Sequence, residues 1–248
     1  MNDDYRIKLY EQEKNSNLIT QKTYYRNLYG YLYRIIKSGK EILEIGAGAG
    51  VSKNFLGELN IHRTDYLDWG DTSEIDSRID AEDLPYADNA FDFVFGVDMI
   101  HHLNMPYKAL SECIRVTKSG GKIIFIEPYV SILSYPIYKL FHEENTSFRY
   151  DFKSHGLKSN PQEGDQGVGK AMFVNIKNLR ELLKEQKNIT DINVKLVDPF
   201  SFFSTGGLTK PINTGEKLIK FLLLLEKLIP AQIMKILASR MVVIISVR

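Results

Sequence analysis

The sequence has a single cysteine, no long apolar run and almost no net charge. Cys113 cannot form an internal disulfide alone, and the first residues have neither the basic nor the apolar region of a secretion signal, so we expect a reducing, cytoplasmic setting. The longest apolar run, Phe221 to Leu225, is far shorter than the roughly 20 residues that cross a bilayer. A net charge of +1, from 32 basic and 31 acidic residues, argues against nucleic acid as a partner.

The chain has 248 residues, of which 44% are hydrophobic. This length and composition suit one well-packed α/β domain with additions. We therefore expect residues 1–248 to form a single domain.

The stretch EILEIGAGAG, residues 41–50, joins a short apolar strand to three glycines at alternate positions. Gly46, Gly48 and Gly50 suit a tight turn that lets the backbone approach a ligand before the helix predicted over Val51 to Leu59. Dinucleotide enzymes carry a third glycine one residue later, where this chain has Val51. The loop therefore disfavours a nicotinamide oxidoreductase and favours a ligand with a carboxylate at the helix end.

Glu44 is a carboxylate within the apolar strand. A buried carboxylate costs several kcal/mol unless it is paired or hydrogen-bonded, so Glu44 requires a partner, and a ligand amine would serve. The pattern E-x-G-x-G-x-G after a strand resembles motif I of the class I S-adenosylmethionine-dependent methyltransferases. The resemblance implies that Glu44, Gly46, Ala47, Gly48 and Gly50 hold the amino acid head group of S-adenosylmethionine.

A second strand is predicted over residues 60–65. In nucleoside-binding α/β folds, an acid at the end of this strand accepts hydrogen bonds from the ribose hydroxyls. Asp65, followed by Tyr66, is the first choice for this role. Asp68 and Asp71 are alternatives, because the strand is weakly marked.

Residues 79–103, IDAEDLPYADNAFDFVFGVDMIHHL, resemble a second segment found in type 11 members of the methyltransferase superfamily. The resemblance implies that Asp80 contacts the adenine amino group and that the backbone of Ala81 and Glu82 faces the ring. Phe91 to Val97 is predicted as a buried fourth strand. Asp98 and Met99 then follow at its carboxyl end, where open α/β sheets bind ligands.

Three histidines are candidates for a catalytic base. His101 and His102 follow the fourth strand, and either could accept a proton from a substrate hydroxyl or amine. The alternative is that one packs against the sheet and the other shapes the pocket. His142 is a third candidate. It begins the sequence His142-Glu143-Glu144, which lacks the second histidine of the HExxH zinc motif, so no metal is expected.

The next helix is predicted to begin with Asn104 as its cap and Pro106 in its first turn. The sequence ALSECIRVTKSGGK again resembles the type 11 family. Residues 118–121 are predicted to end this helix, and Lys122 to Ile126 to form a fifth strand.

The resemblance implies a Rossmann-like α/β fold with a seven-stranded, mostly parallel sheet, helices on both faces and an antiparallel last strand. We expect a helical lid over residues 1–39, a cofactor-binding core over 40–130, and completion of the sheet by 172–199 and 241–248. The tyrosines of the first segment could instead pack on the core. Two aromatic or apolar insertions, 131–171 and 200–240, are predicted to form a cap.

The second insertion contains a helix that is apolar around most of its circumference. Leu218, Leu222, Leu225 and Ile229 are predicted to face the protein. The remaining apolar surface is expected to lie under the first insertion, around Tyr135 to Phe141. A lipid surface contacted through residues 214–238, or a second subunit, is the alternative, so monomer and homodimer both stay open.

The function implied is transfer of a methyl group from S-adenosylmethionine, leaving S-adenosylhomocysteine, to an oxygen or nitrogen of a small-molecule, sugar or lipid-linked acceptor. Such a displacement depends largely on holding the nucleophile close and in line. The alternative is a methyltransferase fold that binds the cofactor and acts only as a structural partner in a complex.

Overall fold

The structure is a computed structural model that describes residues 3–68, 75–141, 144–146, 164–208, 210 and 212–248. One sheet forms its centre. Its strands are β1 (Ile42–Ile45), β2 (Ile61–Asp65), β3 (Asp76–Ser77), β4 (Phe91–Val97), β5 (Thr117–Pro128), β6 (Ile189–Val197) and β7 (Arg240–Val247).

Helices cover both faces of this sheet. They are α1 (Asp3–Asn15), α2 (Ile19–Ile35), α3 (Lys53–Leu56), α4 (Pro106–Val116), α5 (Ser134–Phe141), α6 (Val168–Phe173), α7 (Ile176–Glu185), α8 (Ser201–Ser204), α9 (Glu216–Glu226) and α10 (Ala231–Leu237). A short 3-10 helix, Ile100–His102, follows β4.

The seven strands lie in the order β3-β2-β1-β4-β5-β7-β6. The first five along the chain are mutually parallel, and β7 runs antiparallel between β5 and β6. The predicted seven-stranded, mostly parallel sheet with an antiparallel last strand is therefore present. The strand order reverses between β1 and β4, and a crevice opens at the carboxyl ends of the strands at such a point.

Alternate residues of the central strands feed two separate cores. Leu43 and Ile45 of β1 pack on the face that is also covered by α4 and α6, whereas Ile42 and the neighbouring Phe93 of β4 pack on the face covered by α2. Because both faces are covered, the central strands are apolar at nearly every position, as expected for parallel strands.

Three local predictions are wrong. The helix after the glycine loop is only the four residues Lys53–Leu56. Residues 118–121 belong to β5, which begins at Thr117, directly after α4. Helix α4 does begin at Pro106, but its N-cap is Met105 and no side chain caps it. Asn104 is therefore available for another role.

The two insertions contact each other. Tyr138 of α5 packs edge-on against Phe203, with ring centroids 5.6 Å apart, and the Leu133 amide donates to the Ile236 carbonyl at 3.0 Å. The cap over the site stays a prediction, since residues 147–163 lie outside the described part of the chain. The predicted inward face of α9 is wrong: Leu218 and Leu225 are exposed, and Ile219 is the fully buried residue.

Candidate functional site

A cavity opens at the carboxyl ends of β1, β2 and β4, where the strand order reverses. Its walls come from the glycine loop, the ends of these strands, the 3-10 segment and the two N-terminal helices. The lining residues are Leu9, Gln12, Tyr25, Tyr29, Glu44, Gly46, Ala47, Gly48, Ala49, Val51, Asp65, Tyr66, Leu67, Ile79, Asp80, Ala81, Glu82, Val97, Asp98, Met99, His102, Leu103 and Asn104.

The glycine loop brings bare backbone to the cavity. Gly46 and Gly48 have φ of +64° and +56°, which side chains other than glycine rarely adopt. A Cβ on Gly46 would lie 2.7 Å from the Cβ of Met99, so this position also has no room for a side chain. The glycine loop therefore packs directly against Met99, in the segment after β4.

Glu44 has its partners within the protein. Ser52 donates a short hydrogen bond to its Oε2, and Arg63 Nε lies 3.4 Å from the same oxygen. Burial raises the pKa of Glu44 to about 7, although Ser52 and Arg63 act to lower it. A further positive group in the cavity would favour the ionised form, as a ligand ammonium would.

Asp65 ends β2 and holds the glycine loop. Its Oδ2 accepts from the Gly48 amide at 2.7 Å, and its Oδ1 accepts from the Leu67 amide at 2.8 Å. A carboxylate oxygen has more than one lone pair, so both can still accept from a ligand hydroxyl. Of the two alternatives, Asp68 pairs with Arg78, and Asp71 lies outside the described residues.

The segment from Asp80 to Glu82 forms a tight turn at the next part of the wall. Asp80 Oδ1 accepts from the Glu82 amide at 2.8 Å, and Glu82 Oε1 accepts from the Met105 amide at 2.7 Å. Asn104 faces the same space. Its Oδ1 is buried and has no hydrogen-bond partner among the described residues, so it offers an acceptor to a ligand N–H.

His101 lies behind the cavity wall and is 2% exposed. Its Nδ1 is 2.6 Å from Glu127 Oε2, and its Nε2 is 3.3 Å from Glu144 Oε2. Burial alone would lower the pKa of His101, but the two carboxylates outweigh it and raise the pKa to about 10. A raised pKa favours the imidazolium form, and His101 does not line the cavity, so its role as a catalytic base stays a prediction.

His102 is the histidine that faces the cavity. Its Nε2 lies 3.6 Å from Glu144 Oε1, and its ring lies against that of His101 with centroids 4.2 Å apart. Glu127 fixes this arrangement, because its Oε1 accepts from the amides of Met99 and Ile100 at 3.0 and 2.8 Å. His142 lies outside the described residues.

His101, His102 and Glu144 also place ligating atoms within 4.8 Å of one another, close enough for one divalent cation. A metal-bound histidine must be deprotonated. The pairing of His101 with Glu127 and Glu144 keeps it protonated, so charge pairing explains the cluster without a cation. The prediction that the site uses no metal stays a prediction.

Asp98 ties the cavity to the far end of the chain. It has φ of +54°, and its Oδ1 accepts from Arg240 of β7 at 2.6 Å. Arg240 is 1% exposed and lies over the ring of Phe202. Among the described residues its Nε has no hydrogen-bond partner. The carboxylates of Asp98 and of buried Asp198 both offset its charge.

The N-terminal helices close one side of the cavity. Tyr25 and Tyr29 of α2 line it and are also buried in the core, where Tyr29 stacks on Phe55 at 5.4 Å. Gln12 of α1 donates to the Tyr25 hydroxyl at 3.1 Å and lines the cavity beside Leu9. The same tyrosines thus pack in the core and line the cavity, and their closure over a ligand as a lid stays a prediction.

Most of the residues predicted to bind the cofactor meet at this cavity. Gly50 is the exception: it supports the turn without reaching the wall, and its Cβ would meet Ile75. No sequence pattern indicated a site role for Gln12, Asn104 or Arg63. Their positions at the site depend on how separate parts of the chain come together in the fold. The sequence does indicate a role for Glu127, because a carboxylate at the end of a buried strand needs a partner.

The cavity fits S-adenosylmethionine. Glu44 offers a carboxylate to the amine, the glycine loop leaves room for a ligand to approach the backbone, and Asn104 presents an unsatisfied acceptor beside Asp80. Hydrogen-bond acceptors and the backbone of the glycine loop therefore lie where they can contact an amino acid head group and a nucleoside.

Comparison with known proteins agrees with this geometry. Residues 43–125 match the sequence model of the family described as Methyltransferase domain. The chain is 33% identical over 119 residues to demethylmenaquinone methyltransferase of Renibacterium salmoninarum, covering 44% of this chain and 48% of that protein. It is 30% identical over 174 residues to ubiquinone/menaquinone biosynthesis C-methyltransferase of Pseudomonas paraeruginosa, covering 56% and 65%.

A solved S-adenosylmethionine-dependent methyltransferase from Archaeoglobus fulgidus shares the fold, with a TM-score of 0.53 and 14% identity over 89% of this chain and 91% of that one. The sequence matches to the methyltransferases of Renibacterium salmoninarum and Pseudomonas paraeruginosa span 48% and 65% of those proteins. Residues 43–125, which match the family model, contain motif I, both acidic positions assigned to the cofactor and the histidine pair. The sequence motifs, the cavity and these likenesses together support a class I S-adenosylmethionine-dependent methyltransferase, with S-adenosylmethionine as its cofactor.

Proposed function

We propose that this protein transfers the methyl group of S-adenosylmethionine to a hydroxyl-bearing small molecule that binds beside His102. The observation that carries the proposal is a cavity that is lined by the motif I loop, two acidic positions after strands and the ring of His102. The bound cofactor supplies an electrophilic methyl group on a sulfonium. The protein then has to place the acceptor in line and exclude water.

The residues have distinct proposed roles. Glu44 and the backbone of Gly46 to Gly48 hold the amino acid head group, Asp65 the ribose hydroxyls, and Asp80 with Asn104 the adenine edge. Asp98 and Met99 support the wall between these subsites. His102 takes the acceptor's proton, and Glu144, 3.6 Å away, stabilises the imidazolium that results.

The acceptor atom is oxygen or, as a second candidate, carbon. Two relatives are named as enzymes of quinone biosynthesis, one of them a C-methyltransferase. Removing a proton from a ring hydroxyl raises electron density on the oxygen and on the adjacent ring carbons. One base at His102 therefore serves either outcome. Methylation of nitrogen needs no such base if the amine arrives neutral.

The test is incubation with labelled S-adenosylmethionine and a fractionated extract of the source organism. Mass spectrometry identifies what gains a methyl group, and carbon NMR shifts then distinguish O-, N- and C-methyl products. A matched reaction with the Asp65→Ala variant controls for label incorporated by other enzymes. Tight cofactor binding with no labelled product from any fraction would instead support a non-catalytic structural partner.

A further inference from the structure

The outer face of α9 and α10 carries a group of large apolar side chains that are exposed among the described residues. Leu218, Phe221, Leu225 and Leu228 follow one another at helical spacings of three and four and form one stripe on the α9 side. Leu224 lies beside this stripe, and Leu224 and Leu228 are 59% and 75% exposed. Further exposed large apolar residues on α10 are Ile233 and Ile236.

The opposite face of α9 is fully used for packing. Ile219 is buried in the core, and Glu226 accepts from the Phe200 and Ser201 amides at 2.8 and 2.7 Å. The helix therefore cannot rotate to hide its apolar stripe. Helix α5, the described helix of the first insertion, packs elsewhere: its Tyr138 lies against Phe202 and Phe203 of α8.

The charges on this surface have one dominant sign. Lys217, Lys220, Lys227 and Lys235 are exposed around the stripe. Glu216, which pairs with Lys220 at 2.6 Å, is the only acid on α9 and α10 besides the buried Glu226. Apolar side chains flanked by lysines are typical of helices that lie in the interface of an anionic bilayer.

We propose that α9 and α10 form a docking surface for anionic membranes. The stripe from Leu218 to Leu228 enters the acyl boundary, and the flanking lysines contact lipid phosphates. Among the described residues no helix has the length and apolarity to cross a bilayer, so the contact is peripheral. The proposal does not depend on which acceptor is methylated.

Vesicle flotation without cofactor or acceptor tests this surface independently of methyl transfer. We expect the full chain to float with phosphatidylcholine vesicles that contain phosphatidylglycerol, and more weakly with phosphatidylcholine alone. Leu224→Gln combined with Leu228→Gln should reduce binding by about tenfold or more, because two leucines no longer leave water. Lys220→Gln and Lys227→Gln should each reduce binding about fivefold, an effect that high salt removes.

Matched controls are Leu183→Gln and Lys184→Gln on α7, which alter an exposed leucine and an exposed lysine elsewhere. They should float like the wild type, and thermal melts should show that all variants stay folded. Wild-type protein that fails to float, or double-leucine and control variants that float equally, would overturn the proposal. So would a dimer by light scattering that the double-leucine variant converts to monomer without any change in flotation, since a second copy would then be the partner.

Discussion

At the scale of single residues, the site is organised by buried charges whose partners are now visible. Glu44 is 3% exposed, and within the described part of the chain Ser52 and Arg63 contact its carboxylate. Its pKa of about 7 means that the free protein carries this carboxylate partly protonated near neutral pH. Cofactor binding should therefore release a proton from Glu44 over this range.

We expect Glu44→Gln to weaken cofactor binding by about ten- to a hundredfold at pH 8, as for a lost hydrogen bond to a charged group. At pH 6 wild-type Glu44 is mostly protonated, so the ratio of variant to wild-type Kd should shrink by about tenfold. Calorimetry at both pH values measures this ratio, in which the ligand's own ionisation cancels. A ratio that does not change with pH would show that Glu44 does not titrate there.

His102→Gln should lower turnover by about 100-fold while cofactor affinity stays nearly constant, because a general base acts on the acceptor and not on the cofactor. The readout is kcat beside the cofactor Kd, once the acceptor is identified. His62→Gln is a matched control, since His62 is exposed on β2 and pairs with Asp76. A loss below about tenfold would make His102 a wall of the pocket.

His101 should act on stability. Its folded pKa of about 10 lies above the unfolded value near 6.5, so its contribution is complete below pH 6.5 and is lost as the pH rises through 10. We therefore expect His101→Gln to be destabilised at pH 7 and the difference from wild type to shrink toward pH 10. Urea unfolding at the two pH values checks this, and a difference that grows with pH would contradict the protonated state.

At the scale of elements, the N-terminal helices show how one segment combines packing with a functional surface. Tyr29 stacks on Phe55 in the core and also lines the cavity, whereas α1 reaches the cavity mainly through Leu9 and Gln12. Helix α1 thus depends on few buried contacts. Segments of this kind open locally at low cost.

We expect bound S-adenosylhomocysteine to slow amide hydrogen exchange in α1, because the ligand adds contacts at Leu9 and Gln12. Exchange followed by mass spectrometry measures this with and without ligand. Helix α7 is the internal control, since none of its residues line the cavity. Equal exchange in α1 in both states would mean that the helix does not close over the cofactor.

The elements that the sequence predicted well are those with local signals. β1 and β4 are apolar runs followed by glycine or an acid, and the predicted bounds of β4 are those of the structure. β2 is weakly marked, and it begins one residue later than predicted. The face of α9 could not be predicted, because leucine occupies nearly every side of the helix and two opposite stripes look alike. The partners of Glu44 are Ser52, directly before α3, and Arg63 of β2. No local sequence pattern indicates pairs between such separate parts of the chain.

At the scale of the whole molecule, the Asp98–Arg240 pair joins the cavity to β7, the last strand along the chain. The two residues are 142 positions apart in sequence. Arg240 begins β7, which pairs with β5 and β6, so the ion pair connects the antiparallel half of the sheet to the parallel half. Loss of this ion pair should therefore lower the free energy of unfolding of the whole protein.

We expect Arg240→Met to lower the free energy of unfolding by about 1.5–3 kcal/mol, because the hydrogen bond from Arg240 to the Asp98 carboxylate is lost. Denaturant unfolding measures the loss. Adding Asp98→Asn should restore part of it, and Lys122→Met, a half-buried lysine of β5, is the control with an expected change of about 0.5 kcal/mol or less. Additive losses in the double variant would mean that the two residues do not stabilise each other.

Helix α2 contacts both the cavity and the segment that leads into the proposed docking surface. Tyr25 and Tyr29 form one wall of the cavity, while Thr20 accepts from the Gly215 amide at 3.0 Å and Gln21 donates to the Ile212 carbonyl at 3.0 Å, directly before α9. A displacement of α2 must therefore move or break its attachment to the docking surface. Thermodynamic linkage then requires reciprocity: if anionic vesicles change the affinity for the cofactor, the cofactor changes the affinity for vesicles by the same factor.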